Sequence, residues 1–418
     1  MTSPLAVPRS IDSPGMRRAG GDLLSVALMD ARNHTLRLLA AFEQAIGIDG
    51  TETVPEQTGS DCAGALWLAG HIGWFAEYWI GRNTQRSRGV ACPAQPTRLA
   101  SIEPMADPFW DASQQRGSGR AASGLPDATA TRAWLRETLE GTLELLDKAP
   151  GTDDGLYFFR LALFHEDWRG EQLVAMAQAL GVPLQVPPGP AGVVREPLLV
   201  PATRWQMGTP EGGFMFDNEG AQHAESVPEF EIDAQPVTWS QYVEFVDDSG
   251  YDREELWSPE GWQWLERVAA QEGRRGPRHV DEIGTASGAV MQLRFGKRVR
   301  AAGNQPATHV SWWEADAWAR WAGRRLATEI EWEIAAHTAA GRGFRWGEVH
   351  EWTANMFRPY PGFVAGPWVD YSVPWFGKAR AMRGASFATR ARMKHPGHRG
   401  FALPGRDDHF SGFRTCSI

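Results

Sequence analysis

LYFFRLALFHEDWRGEQLVAMAQALG, residues 156 to 181, reads as one long helix, and that reading decides the architecture of the first half of the chain. Side chains three and four apart share a helix face, so Leu161, Phe164, Trp168 and Ala175 fall near one stripe while His165, Arg169 and Gln172 share the neighbouring one. A second histidine, His71, lies in ALWLAGHIGWFAEYWIGRN, which is also helical in pattern. Two helices of one bundle can therefore aim an imidazole each at a common point. Such a pair is the beginning of a metal site, but non-haem iron or zinc normally takes a third protein ligand. The next position on the His165 face is Arg169, whose guanidinium stays protonated and has no lone pair to give. Glu166, Asp167 and Glu171 are nearby carboxylates that point off that face. The competing reading is two buried histidines, each satisfied by a backbone carbonyl, with Arg169 exposed or salt-bridged to Glu166 or Glu171.

Working outward, an amphipathic stretch at 21–48, the apolar segment at 62–86 and a stretch at 131–149 with acidic residues on its outer face supply three more helices, so residues 21–182 read as a four-helix bundle. The apolar run at 63–81 is long enough to raise a membrane span, but His71 and Glu77 interrupt it and nothing else in the chain resembles a second span. A bundle helix is the better reading, with no membrane partner. Residues 1–20 contain Pro, Ser and Arg without an apolar run and read as a disordered tail. Arg88 to Asp127 reads as a long polar connection, and the prolines of 183–198 mark an extended linker.

Past the linker the texture changes to short β-branched or aromatic runs, many glycines, and most of the twenty tryptophans. Two helices stand out: TWSQYVEFVDDSG (238–250), opened by a Thr cap, and SWWEADAWARWAG (311–323), with Ser311 and Glu314 as a capping box. The fold class is therefore α+β. A net charge of −9 with scattered Lys and Arg argues against a nucleic-acid partner. Three dispersed cysteines, Cys62, Cys92 and Cys416, make neither a disulfide framework nor a zinc site and suit a cytoplasmic compartment.

FDNEGAQH (216–223), PVTWSQYVEFV (236–246), HVSWWEADAWARWAGRRLATEIEWEIAA (309–336), WGEVHEWTAN (346–355), RGASFATR (383–390) and GFR (412–414) occur in an order that resembles the formylglycine-generating-enzyme-like domain, a variant of the C-type lectin fold, over 199–418. The first half resembles a DinB-like four-helix bundle. Their fusion resembles the sulfoxide synthases of ergothioneine biosynthesis and the selenoneine synthases. HIGWFAEYWIGRN, FFRLALFHEDWRGEQLVAMAQALG and RGFALPGRDDHFSGFR are closer to the selenium branch. The resemblance implies an Fe(II) enzyme that uses dioxygen to join a selenosugar, or a thiol donor in the sulfur branch, to carbon two of the hercynine imidazole. Formylglycine generation is not expected, because the copper-binding pair of that reaction would need a cysteine where Ala388 and Thr389 stand, although Cys416 occupies the second place.

The same resemblance assigns His71 and His165 as metal ligands, with Arg169 in the third ligand position. It aligns GPWVDYSVPWFG (366–377) with the segment carrying a proton-donating tyrosine, which makes Trp368 and Tyr371 the catalytic candidates. Arg406 matches a substrate-binding arginine; Arg82, with Arg86 and Arg88, and equally Arg116 and Arg120, could reach a charged donor, the alternative for both sets being a solvated basic edge. Trp168 and Phe401 are further substrate-binding candidates. Trp352, Trp368, Trp375, Phe363 and Phe401 could box a trimethylammonium group through cation–π attraction; for most of the tryptophans the alternative is packing. Arg324, Arg325, Glu329, Glu331 and Glu333 read as structural ion pairs. Glu351 and Asn355 read as loop supports or calcium ligands, and His395 and His398 as a loop pair near the substrate mouth.

Overall fold

The computed structural model describes residues 8–47, 64–112, 124–187, 192–284 and 288–418. Its first half holds α1 (Gly21–Ile46), α2 (Ala65–Ala76), the short α3 (Ala106–Trp110), α4 (Ala128–Asp147) and α5 (Asp153–Leu180). The four long helices form a bundle in which α1 packs on α4 and α5, and α2 packs on the same pair. Thr152 caps α5 by accepting from the Gly155 amide, and Gly181 ends it at φ 69, the left-handed conformation that glycine adopts without a Cβ penalty. Every residue of α2 is buried, which accounts for its all-round apolar character inside a bundle. Among the described residues no helix is long and apolar enough to cross a membrane.

The second half is built from β1 (Leu198–Val200), β2 (Thr203–Met207), β3 (His223–Val227), β4 (Phe230–Ile232), α6 (Trp239–Asp247), α7 (Pro259–Glu272), β5 (Val280–Gly284), β6 (Ala289–Arg294), β7 (Lys297–Ala301), α8 (Trp312–Trp321), β8 (Arg325–Leu326), α9 (Glu329–Thr338), β9 (His350–Met356), β10 (Arg380–Gly384), β11 (Gly400–Ala402), β12 (Ser411–Phe413) and β13 (Thr415–Cys416). Two four-stranded sheets, in the orders β1-β4-β13-β8 and β11-β10-β9-β12, are accompanied by a separate β2-β3 hairpin and a β5-β6-β7 meander. The caps at Thr238 and Ser311 form as the sequence predicts, each with a reciprocal capping box. The ion pairs expected around α9 also form: Arg325 with Glu331, Arg399 with Glu329 and Arg383 with Glu333. The chain is thus mixed helix and sheet, with a helical first half.

Several expectations need correction. The tail through residue 20 is not disordered over its described part. Pro14–Arg18 form a 3-10 turn with Met16 and Arg17 buried, because the Arg17 guanidinium is taken up by Glu219 at 3.0 Å and a buried cation requires such a partner. The second helix does not reach residue 86. It passes into a π turn at Glu77–Gly81 and ends there. The connection from Arg88 is partly structured: α3 lies within it, and Trp110 at its end is 1% exposed. Cys62, Arg116 and Arg120 lie outside the described residues.

The two halves meet along α5. Arg392 forks onto Asp167 at 2.6 and 2.8 Å. Glu171 accepts from Thr389 at 2.8 Å, lies 2.9 Å from His350 Nε2, and also holds the Ser386 hydroxyl. Gln178 donates to the Leu293 carbonyl at 2.8 Å and accepts from the Phe295 amide at 2.9 Å. Burial alone would raise the Glu171 carboxyl, but His350 and the two hydroxyls bring it down to about 2, so it stays ionised and holds the joint.

Candidate functional site

A cavity of 380 Å³ opens between α2, α5 and the loops of the second half. His71, 3% exposed, is part of its lining; His165, 1% exposed, is not, and its ring centroid lies 5.2 Å from that of His71. Two glycines let the rest of the bundle press onto α2 behind them. A Cβ at Gly70 would fall inside the Trp110 indole, and one at Gly73 would meet Trp134 Nε1 at 2.5 Å. Trp110 and Trp134 stack at 5.1 Å, and the Trp110 carbonyl lies 2.8 Å from His71 Nδ1.

Arg169 lies between the two imidazoles. Its Nε donates to His165 Nε2 at 3.2 Å, its Nη2 to His71 Nε2 at 3.2 Å, and its Nη1 to Gln172 Oε1 at 2.8 Å. Its guanidinium carbon also lies 4.4 Å from the centre of the Trp168 ring. A carbonyl can only accept and a guanidinium can only donate, so His71 carries its proton on Nδ1 and presents the Nε2 lone pair to Arg169. His165 is neutral as well: burial first, then the charge of Arg169 and the neighbouring His71, hold it well below the ordinary imidazole value. Neither expected partner of Arg169 takes it. Glu166 is occupied by Arg32 at 2.9 and 3.1 Å and Thr35 at 2.8 Å, and Glu171 belongs to the joint described above.

This donor set does not fit Fe(II). The imidazoles converge as ligands would, but their converging lone pairs are spent on a cation. The three carboxylates nearest in sequence are engaged elsewhere. Among the described residues no group of three or more His, Cys, Asp or Glu is disposed to hold a metal ion.

The walls are aromatic. Trp368 meets His165 edge to face at 5.3 Å and Phe75 at 4.8 Å, while Phe75 stacks flat on His165 at 3.6 Å. Tyr371 lies 4.9 Å from Trp368 and stacks on Phe216 at 4.6 Å. Its phenol is held protonated, raised well above the usual value by burial and then by the charges of Glu219 and Asp217. Asp217 pins the loop that bears both rings, accepting from Ser372 Oγ at 2.6 Å and the Gly366 amide at 3.4 Å. Trp168, Trp375, Phe401 and Arg406 also line the cavity. So do Trp67, Trp74 and Tyr78 from the α2 segment, and the carboxylates Asp111, Asp370 and Asp408. Arg406 donates to Asp408 at 2.7 Å.

Some expected residues are not brought together with the others. Arg82 is clamped by Asp107 at 2.7 and 2.9 Å and is not part of the lining. Trp352 is a packing residue whose indole donates to the Val310 carbonyl at 2.8 Å, and Phe363 packs on Phe376 at 5.1 Å. Glu351 is bound by Arg414 at 2.8 Å, and Asn355 accepts the Glu329 amide at 2.8 Å, so both are supports. His398 lies 2.8 Å from Glu219 and does not line the cavity. Reading of the residues passed over Trp110, Asp217 and the α2 aromatics. The unbroken run of rings around His71 was the available signal for the last of these.

A helical bundle joined to a mixed helix-and-sheet half, with a cavity of rings and carboxylates between them, defines a two-part enzyme architecture. A model of the sulfatase-modifying factor enzyme 1-like domain matches residues 185–348. Hercynine oxygenase of Mycolicibacterium smegmatis is 30% identical over 94% of this chain and 98% of its own length. Hercynine oxygenase of Mycobacterium tuberculosis is 28% identical over 84% and 90%. A formylglycine-generating enzyme of Streptomyces coelicolor is 29% identical over 48% of this chain and 82% of its own. The chain belongs to the hercynine oxygenase family, a family of oxidoreductases.

Proposed function

We propose that the cavity takes hercynine. The observation that carries this reading is the lining itself: indole and phenol rings from both halves, interspersed with Asp111, Asp370 and Asp408, beside the His71 imidazole. A trimethylammonium group cannot donate a hydrogen bond, and rings with carboxylates behind them attract it by about 0.5–2 kcal/mol per favourable face. In the selenoneine branch such a cavity goes with dioxygen-dependent joining of a selenosugar to the imidazole, with a thiol as the alternative donor, and in this chain that reaction would need Fe(II), which the donor set around Arg169 does not fit. The DinB-like reading of the bundle and a cytoplasmic location belong to the same proposal; Cys92 and Cys416 are buried free thiols. A second reading, favoured by the seat of Arg169, is a member of the family that holds hercynine without iron.

Calorimetry with hercynine and with histidine tests the substrate. Hercynine should bind at least tenfold more tightly, and equal affinity would refute the reading. Mass spectrometry after aerobic incubation with hercynine plus selenosugar, or plus thiol, then separates the donors. Binding without product selects the second reading.

A further inference from the structure

We infer that Arg169 takes the place of the metal ion in this chain, and that the His71–His165 pair is a guanidinium site. Metal–imidazole bonds of about 2.0–2.1 Å require both Nε2 lone pairs to converge on one small ion. Here both converge on one guanidinium, at 3.2 Å each. The contacts that hold that group include the two imidazoles, Gln172 at 2.8 Å, and the face of Trp168 at 4.4 Å. The backing is also built. The Trp110 carbonyl fixes the His71 tautomer so that its Nε2 faces the cation, and Gly70 leaves room for the Trp110 ring that brings the carbonyl there.

No carboxylate of the helix compensates for the missing third nitrogen. Glu166, Asp167 and Glu171 are bound to Arg32, Arg392 and the Thr389–His350 pair. A divalent ion would have to displace a positive charge that is already hydrogen-bonded, and among the described residues would then find the two imidazoles as ligands. Arg169 lines the cavity, so a ligand entering it meets the guanidinium. That suits a carboxylate-bearing betaine held without metal. This last point rests on the hercynine reading; the replacement of the metal does not.

The test is anaerobic titration with Co(II), followed by visible absorption, and with Fe(II), followed by metal analysis after desalting. The proteins are the full-length wild type, Arg169→His, and Arg169→His combined with His165→Ala, each checked by circular dichroism and melting temperature. The wild type should retain less than a tenth of an equivalent, Arg169→His about one equivalent, and the double variant should lose it. One equivalent retained by the wild type and lost on His165→Ala would overturn the inference. So would a folded Arg169→His protein that takes up no metal, since the guanidinium would then not be what excludes it. Hercynine calorimetry on the wild type with and without chelator is a separate arm. Affinity should change by less than twofold, and a chelator-dependent loss overturns the metal-free site. No hercynine binding in either condition refutes the substrate reading and leaves the metal result standing.

Discussion

Arg169 and His165 stand one turn apart on α5 and share a hydrogen bond of 3.2 Å in which the imidazole Nε2 accepts. A side chain that cannot accept thereby fixes the protonation of one that can do either. Arg169→Met keeps the length and removes the charge. The His165 pKa should rise, because Arg169 follows burial among the causes of its depression. It should remain below 6.5, because burial persists. The Cε1–H resonance followed against pH checks this, and an unchanged titration would mean that the charge of Arg169 is screened.

Gly70→Ala should lower stability by about 1–3 kcal/mol, the usual effect of forcing a methyl group into a packed interior. The displaced ring is that of Trp110, whose carbonyl meets His71. The variant should therefore lose hercynine affinity as well as melting temperature. Gly141→Ala, inside α4 where an added Cβ has nothing within 4 Å, should leave affinity unchanged and raise stability by about 0.5–1 kcal/mol.

The Asp167–Arg392 pair is buried on both sides, at 1% and 0% side-chain exposure. Removing one member leaves an unpaired charge, so Arg392→Met should cost about 3–5 kcal/mol in urea unfolding. Asp167→Leu added to it should recover much of that loss. A double variant no better than the single would show that the pair is not what joins the halves.

Acid should destabilise the fold from about pH 6.5 downward. His395 is lowered to about 3 and His409 to about 4, and His309 lies well below 6.5, in each case with burial as the first cause. Unfolded, these groups take up protons near 6.5; folded, they do not until their depressed values are reached. In that window the unfolded chain binds more protons, so stability falls with pH by about 1.4 kcal/mol per unit for each such histidine. Above 6.5 these groups contribute no slope. Urea midpoints between pH 4.5 and 8 measure it.

Trp168→Leu and Trp368→Leu should each weaken hercynine binding by about twofold to thirtyfold, the range expected when one cation–π face is lost. Arg82→Met, at a residue held by Asp107 outside the cavity, should leave affinity within twofold. An equal loss in all three would point to a general loosening of the bundle.

Much of this was legible in the residues. Helical periodicity located the bundle helices, and face arithmetic on α5 put His165, Arg169 and Gln172 together, where the structure finds them hydrogen-bonded. What periodicity cannot supply is the partner across space. Arg169 has acidic neighbours in sequence, and it goes instead to His71, because Glu166 and Glu171 are claimed by Arg32 and by the second half. The same limit hid the N-terminal turn, whose order depends on Glu219, two hundred residues away. It also made Arg82 look available when Asp107 holds it.

The claims on three carboxylates of α5 bear on how such a chain can change. Glu166 faces α1, while Asp167 and Glu171 face the second half, so one helix reads out both bodies at once. A bundle separated from its companion would retain two carboxylates without their counterparts and only part of the cavity wall. Neither half can then carry the site into a new protein by itself. Any lineage that reshapes the helix at 165–171 must alter residues near 350 and 386–392 with it, and a transplanted site has to travel as the joint.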